Sequence, residues 1–290
     1  MLNIRRFSAL GFMVLLCLAS FSGPLMESEV MAEKLTVEIG EPIVVNRYQG
    51  QETVADRQTE HYCGLIRAGN GNVIVLYNLR PDAVPPTDVP LEQYLKDNMG
   101  YRITTDNGRT WSAQQELGPN AGNKGGALAD GTVLVPSSWT WWVNEHDLRM
   151  SIQRSADGGR TWCLERDVRV TFPPERRLVL SGGWAKKRLT GRVDMYFWGN
   201  IIPLDKTTAV GTMYGWFSGS KMMRCILIRS TDRGRSWQFV SMIAGDDKLT
   251  RHGGYGEPSI VRCRDGRLLC VMRTGYAEPR ILEQCWSSDA

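Results

Sequence analysis

"TTDNGRTW", Thr104–Trp111, returns as "SADGGRTW" at Ser155–Trp162 and as "STDRGRSW" at Ser230–Trp237. The shared form is [Ser/Thr]-x-Asp-x-Gly-x-[Thr/Ser]-Trp, and each position has a mechanical use. The first hydroxyl and the aspartate offer side-chain oxygens to the backbone N–H groups of a tight turn, and the glycine tolerates a positive φ. The tryptophan then buries a large ring against the turn. The octet reads as a staple for a β-hairpin, which makes Asp106, Asp157 and Asp232 structural residues and not catalytic ones.

Between the octets, short β-type runs such as "NVIVLYNL", "GTVLVPSS", "RCILIRS" and "SIVRCRDGRLLCVMR" alternate with turn signals. Helical periodicity is confined to Pro90–Met99, where Leu91, Tyr94, Leu95 and Met99 share one face behind a proline suited to a first turn. The octet aspartates recur about every 50 to 75 residues, room for four strands and their turns, and units of that period suggest the blades of a β-propeller. The expected fold is all-β: blade one over 61–120, blade two over 121–172, blade three over 176–246 and blade four from 253. "SSDA", Ser287–Ala290, repeats the first half of the octet. The pattern therefore expects the intact protein to continue past Ala290 with the rest of it, four blades of a larger ring being present here.

Composition narrows the function classes. With 42% hydrophobic and 23% charged residues the 290-residue chain has an ordinary globular balance. Its formal charge of +4 is spread without a basic run, which argues against nucleic acid as a partner. Arg5 and Arg6 precede the apolar run Phe7–Phe21, followed by Ser22 and Gly23, the layout of a secretory signal. Residues 1–32 are set apart as signal and leader and 33–290 as propeller, with a secreted or periplasmic destination and no membrane span in the mature chain. An uncleaved anchor is the alternative. The six cysteines beyond the signal show no framework spacing, and without CxxC or HExxH, and with three histidines, neither a metal nor another cofactor is expected.

The octets match the Asp-box, or BNR repeat, and the chain from His61 onward resembles the sialidase superfamily of six-bladed β-propellers. That resemblance implies a glycan substrate bound at the propeller mouth. There, three arginines grip the carboxylate of sialic acid, an aspartate serves as acid, and a tyrosine paired with a glutamate attacks the anomeric carbon. The constellation is physically sensible. Planar guanidinium forks suit a carboxylate, and a neutral tyrosine avoids the repulsion that the sugar's own carboxylate would impose on an anionic nucleophile.

"GEPSIVRCRDGRLLCVMRTG", Gly256–Gly275, resembles the family segment that bears the glutamate and the second arginine, so Glu257 and Arg273 take those roles by resemblance. If Asp265 and Gly266 form a two-residue turn, residue 258 pairs with 273, and Glu257 and Arg273 sit together at the open end of one hairpin. Arg280 resembles a further arginine of this blade. "LYNLRPDAVPPTDVP" resembles the stretch in which an Arg-Pro precedes the acid, so Arg80 lines the pocket and Asp88 is the acid, with Asp82 as the alternative. The family's first arginine has no counterpart: the window reads "HYCGL", and His61 falls at its place. An imidazolium meets an anion without a bidentate fork and titrates near neutrality.

The first expectation is thus an exported, retaining, sialidase-type exo-glycosidase for a sialylated or otherwise acidic glycan end, its tyrosine and third arginine not identifiable in this chain. Two others stand beside it: a non-catalytic propeller that binds glycan or protein, and a related propeller enzyme for another sugar, such as a lyase. The aromatic stretches "SSWTWW", Ser137–Trp142, and "YGWFSG", Tyr214–Gly219, suit either sugar stacking or blade packing.

Overall fold

The computed structural model describes residues 4–5, 41, 43, 45, 63–78, 99–118, 121–180, 191–245, 253–275 and 281–288. All regular structure among them is β. Blade one is a four-stranded antiparallel sheet, Gly64–Arg67, Val73–Asn78, Met99–Thr104 and Gln115–Glu116, in sequence order. Blade two runs through Gly126–Ala127, Val133–Pro136, Asp147–Ser155 and Cys163–Thr171. Blade three has Met195–Phe197, Ala209–Gly215, Arg224–Ser230 and Ser236–Ala244. In the last sheet, Tyr255–Arg262, Leu268–Thr274 and Leu282–Ser287 follow in order, and Ile4–Arg5 pairs along the outer edge.

Two features depart from independent blades. The outer strands of blades two and three pair in parallel, Arg169 opposite Ser236 and Val170 opposite Trp237, which fuses these blades into one 11-stranded sheet. The long strand Asp147–Ser155 also changes partner along its length: Val133–Pro136 pairs with one half, and Thr140–Trp142 with the other. Of the expected helix, Pro90–Asn98 lie outside the described residues, and Met99 opens a strand that pairs with Asn78.

Strands here carry nearly continuous apolar runs because blades pack face to face and bury both sides. Side chains alternate across a strand. Along Arg224–Ser230, Cys225 and Leu227 join the core shared with the fourth blade, while Ile226 and Ile228 join the core shared with blade two. Val133 and Val135 pack into blade one, and Leu134 packs the other way. A strand with a solvated face would show polar alternation at these positions.

The three octets adopt one geometry. In the first, the Gly108 N–H donates to Thr104 Oγ1 at 2.8 Å, the Thr110 N–H to Asp106 Oδ1 at 2.9 Å, and the Thr110 hydroxyl to Asp106 Oδ2 at 2.6 Å. Ser155, Asp157 and Thr161 repeat it, as do Ser230, Asp232 and Ser236. Left-handed backbone extends to the residue before each glycine, with φ of 59° at Asn107, 75° at Gly158 and 63° at Arg233. The octets also join blades. A Cβ on Gly159 would come within 2.6 Å of Ile74 in blade one, and one on Gly234 within 2.5 Å of Leu134 in blade two.

The three tryptophans differ in burial: Trp237 is 0% exposed and packs edge-on to Phe197 at 6.4 Å, whereas Trp111 and Trp162 are partly open. Trp237→Ala should cost about 3–5 kcal/mol, and Trp111→Ala well under half of that, as read from chemical unfolding. Equal losses would mean that the octets staple alike regardless of burial.

Hydrogen bonds from the Thr161 hydroxyl and N–H hold the Asp157 carboxyl down at about 2, from an ordinary 3.8. A carboxyl depressed in the folded state contributes stability above its unfolded value and loses it as pH falls through the folded one. Stability should therefore drop between about pH 4 and pH 2. In Asp157→Asn this slope should be shallower and the protein less stable at pH 7; an unchanged acid slope, measured by urea unfolding across that range, would show that the octet carboxylate contributes nothing.

Candidate functional site

Glu257 and Arg273 are brought together, but through a different register from the one expected. The turn is a three-residue loop, Arg264–Gly266: the Gly266 N–H donates to Cys263 O at 3.0 Å, the Cys263 N–H to Arg267 O at 2.8 Å, and Gly266 has a φ of 87°. That is a turn with a left-handed glycine closing a hairpin bulge. Arg262 accordingly faces Leu268 and Ile260 faces Cys270, one residue off the two-residue-turn register. A second irregularity between Gly256 and Ser259 sets Gly256 opposite Arg273. Its pivot is Glu257 itself, at a φ of 51°, a conformation costly for a residue with a Cβ.

The bulge turns the Glu257 carboxylate onto the guanidinium. Arg273 Nε donates to Oε2 at 2.7 Å and Nη2 to Oε1 at 3.2 Å, a fork-to-fork pair with side chains 25% and 33% exposed. Nη1 of Arg273 reaches Thr274 O at 3.4 Å. Gly256 keeps this corner narrow, since a Cβ there would lie 3.3 Å from the Tyr214 ring and 3.7 Å from Arg273 Cζ.

An aromatic shelf leads away from the pair. In the inner strand of blade three, Met195 and Phe197 point into the core while Tyr196 and Trp198 take the other, half-open face. Ring centroids follow at 5.4 Å from Trp139 to Tyr196, 5.4 Å from Tyr196 to Tyr214 and 6.0 Å from Tyr214 to Trp198. Arg192 stacks on Trp139, and the Tyr196 hydroxyl donates to Asp194 Oδ1 at 3.0 Å. Tyr214 and Trp139 come from the two aromatic stretches singled out in the sequence; both are half-buried, and Tyr214 packs against the core shared with the fourth blade while facing Gly256 beside Glu257.

Lys124 completes the arrangement. It precedes the inner strand of blade two, and its Nζ donates to Cys63 O of blade one at 2.9 Å while lying 5.5 Å from the Trp198 ring centroid. Burial pushes its pKa below the ordinary 10.5, against the opposing influence of Cys63 and of the Glu257 carboxylate. Four blades thus meet at one place: Cys63, Lys124, Trp198 and Glu257. No sequence signal marked Lys124, a lone lysine between Asn123 and Gly125. The alternation in "MYFW", Met195–Trp198, did carry the outward set of Tyr196 and Trp198.

The remaining expected residues, His61, Arg80, Asp82, Asp88 and Arg280, lie outside the described residues. Among the described residues no group of three or more His, Cys, Asp or Glu side chains is placed to hold a metal ion, and no helix is long and apolar enough to cross a membrane.

The BNR/Asp-box repeat family matches residues 102–113, the first octet and its flanks. No curated protein matches the chain in sequence. Among solved structures, a protein of unknown function from Dyadobacter fermentans superposes with a TM-score of 0.55 at 16% identity, over 81% of this chain and 68% of that one. An alpha-L-arabinanase of Penicillium chrysogenum, complexed with arabinobiose, gives 0.49 at 14% identity, over 78% of this chain and 62% of that one. A Hadza microbial sialidase gives 0.48 at 17% identity, over 79% and 46%. The chain spans roughly half to two thirds of these proteins. The chain thus carries a BNR/Asp-box repeat at residues 102–113 and shares its all-β fold with the Dyadobacter fermentans protein.

Lys124 offers a direct check on the site. With its lysines carrying carbon-13 dimethyl labels, the Lys124 resonance should titrate below 10.5, and Glu257→Gln should lower its midpoint further, because the mutation removes a nearby negative charge. A midpoint unmoved by the mutation would separate Lys124 from the Glu257 corner.

Proposed function

We propose that the protein is a sialidase-type exo-glycosidase that releases sialic acid or a related acidic sugar from glycan ends with retention of configuration. The observation that carries this reading is the Glu257–Arg273 pair at the open end of the fourth-blade hairpin, beside Lys124 and the aromatic shelf. A carboxylate and a guanidinium at one mouth, flanked by rings that a pyranose can stack on, suit an anionic sugar. Arg273 holds the substrate carboxylate, Glu257 takes a proton from the tyrosine nucleophile, Asp88 protonates the leaving oxygen and Arg80 lines the pocket. For the first of these steps the pair must open. Both Glu257 oxygens accept from Arg273, so an arriving carboxylate competes for the guanidinium and releases Glu257 toward the phenol. Export to the cell exterior or periplasm belongs to the same reading, since that is where glycan ends are met.

A second reading rests on the same pair. If Glu257 stays bound to Arg273 when glycan is present, the site recognises sugars without cleaving them, and the protein is a glycan-binding propeller.

Hydrolysis of a fluorogenic sialoside, run beside glycan-array binding on the full-length protein, decides between them. On the enzyme reading Glu257→Gln lowers kcat by about 10²–10⁴-fold and leaves KM within a few-fold, because the amide keeps the shape but cannot take a proton. Unchanged turnover in the variant removes Glu257 from the mechanism, and array binding without hydrolysis by the wild type selects the second reading.

A further inference from the structure

We infer that Lys124, set over Trp198, is a specificity-determining cation of this site: alongside Arg273 it receives the carboxylate of an acidic sugar whose ring lies along the Trp198–Tyr214 end of the aromatic shelf. The inference rests on the glycan reading above and names a residue that makes the site select acids.

Charge balance is the first argument. The carboxylate whose field reaches Lys124 is that of Glu257, and both of its oxygens are already engaged by Arg273. Glu257 and Arg273 carry opposite charges and engage each other, and among the described residues the contacts of the Lys124 ammonium include no carboxylate. Among the described residues, what touches the ammonium is a backbone carbonyl, Cys63 O, and the face of Trp198. Neither neutralises it. A half-buried ammonium without an ion-pair partner is unfavourable in the unliganded protein, as the depressed pKa registers, and an anionic ligand supplies the missing counter-charge.

Geometry is the second argument. An ammonium has three donors, and Cys63 O uses one of them. The carbonyl and the indole face come from blades one and three, while Lys124 itself comes from blade two, so its head is held from three sides at the meeting point of the blades. Trp198 and Tyr214 meet edge to face, with centroids 6.0 Å apart and both rings partly open. Rings in this arrangement give a sugar an apolar wall next to a fixed cation, the combination that holds an acidic pyranose by stacking and by one charge-assisted hydrogen bond. A lysine at this role differs from an arginine in reading charge without the planar fork, so it accepts carboxylates of more than one orientation. Acidic sugars as a class are then the ligands, sialic and uronic acids alike.

The test compares an acid with its neutral isostere on the whole protein. The probes are the α-methyl glycoside of N-acetylneuraminic acid, methyl β-D-glucuronide, and the carboxyl methyl ester of each, with affinities taken from the shift of the labelled Lys124 resonance and from calorimetry. Each acid should bind about tenfold or more tightly than its ester. Lys124→Met should narrow the gap between acid and ester severalfold by weakening the acid alone, and Lys124→Arg should restore most of the preference. If wild type binds acid and ester equally, or if Lys124→Met keeps the full preference, Lys124 does not receive the carboxylate, while the glycan reading survives because the sugars still bind. If none of the four probes binds, the glycan reading fails and this inference falls with it.

Discussion

Successive blades touch backbone to backbone at their inner ends, and only glycine permits that contact. Gly64 of blade one lies against the Asn123 carbonyl, Gly126 of blade two against that of Ile201, and Gly199, ahead of the second strand of blade three, against that of Pro258. A Cβ at any of the three would overlap a carbonyl oxygen and push the inner strands apart. At Gly199 a φ of 97° adds a second reason. Because blades abut so closely, Lys124, one residue after Asn123, reaches the Cys63 carbonyl, and Trp198, one residue before Gly199, comes under its ammonium. Glu257 precedes Pro258 and so stands at the third of these junctions. The candidate site is a by-product of the same spacing that packs successive blades at their inner ends.

At the outer ends the octets perform the matching task. Gly159 admits Ile74 of blade one and Gly234 admits Leu134 of blade two, while Arg154 of blade two donates to the Arg233 carbonyl at 3.0 Å and Arg233 ion-pairs with Asp130. The hydroxyl–aspartate network inside each octet presents this glycine at a fixed position, which a loose loop would not do. Inner glycines and octet glycines thus hold each blade at two levels. Apolar side chains fill the space between, in cores shared by neighbours: one between blades one and two, one between two and three, one between three and four.

The electrostatics of the mouth follow from one strained residue. Glu257 takes a left-handed backbone at the bulge, and the cost of that conformation is offset by the two hydrogen bonds its carboxylate gains from Arg273. Two opposite charges engage each other there, and the field of the Glu257 carboxylate also reaches the Lys124 ammonium.

The octets by themselves determined the β-hairpins, their period and the structural role of Asp106, Asp157 and Asp232, because each depends on contacts within eight residues. The same holds for the pairing of Glu257 with Arg273, two residues of one hairpin, although the bulge and three-residue loop that set the actual register depend on backbone conformations no pattern of residue types announces. The fusion of blades two and three through parallel outer strands was not legible, since Arg169–Thr171 and Ser236–Gln238 carry no mark of each other. Nor was Lys124. Its partners, Cys63, Trp198 and Glu257, are spread over nearly two hundred residues, and an ammonium acquires a desolvation cost and a neighbouring charge only when three other blades close around it. Local chemistry is written along the chain, whereas burial and long-range charge exist only once the blades are packed.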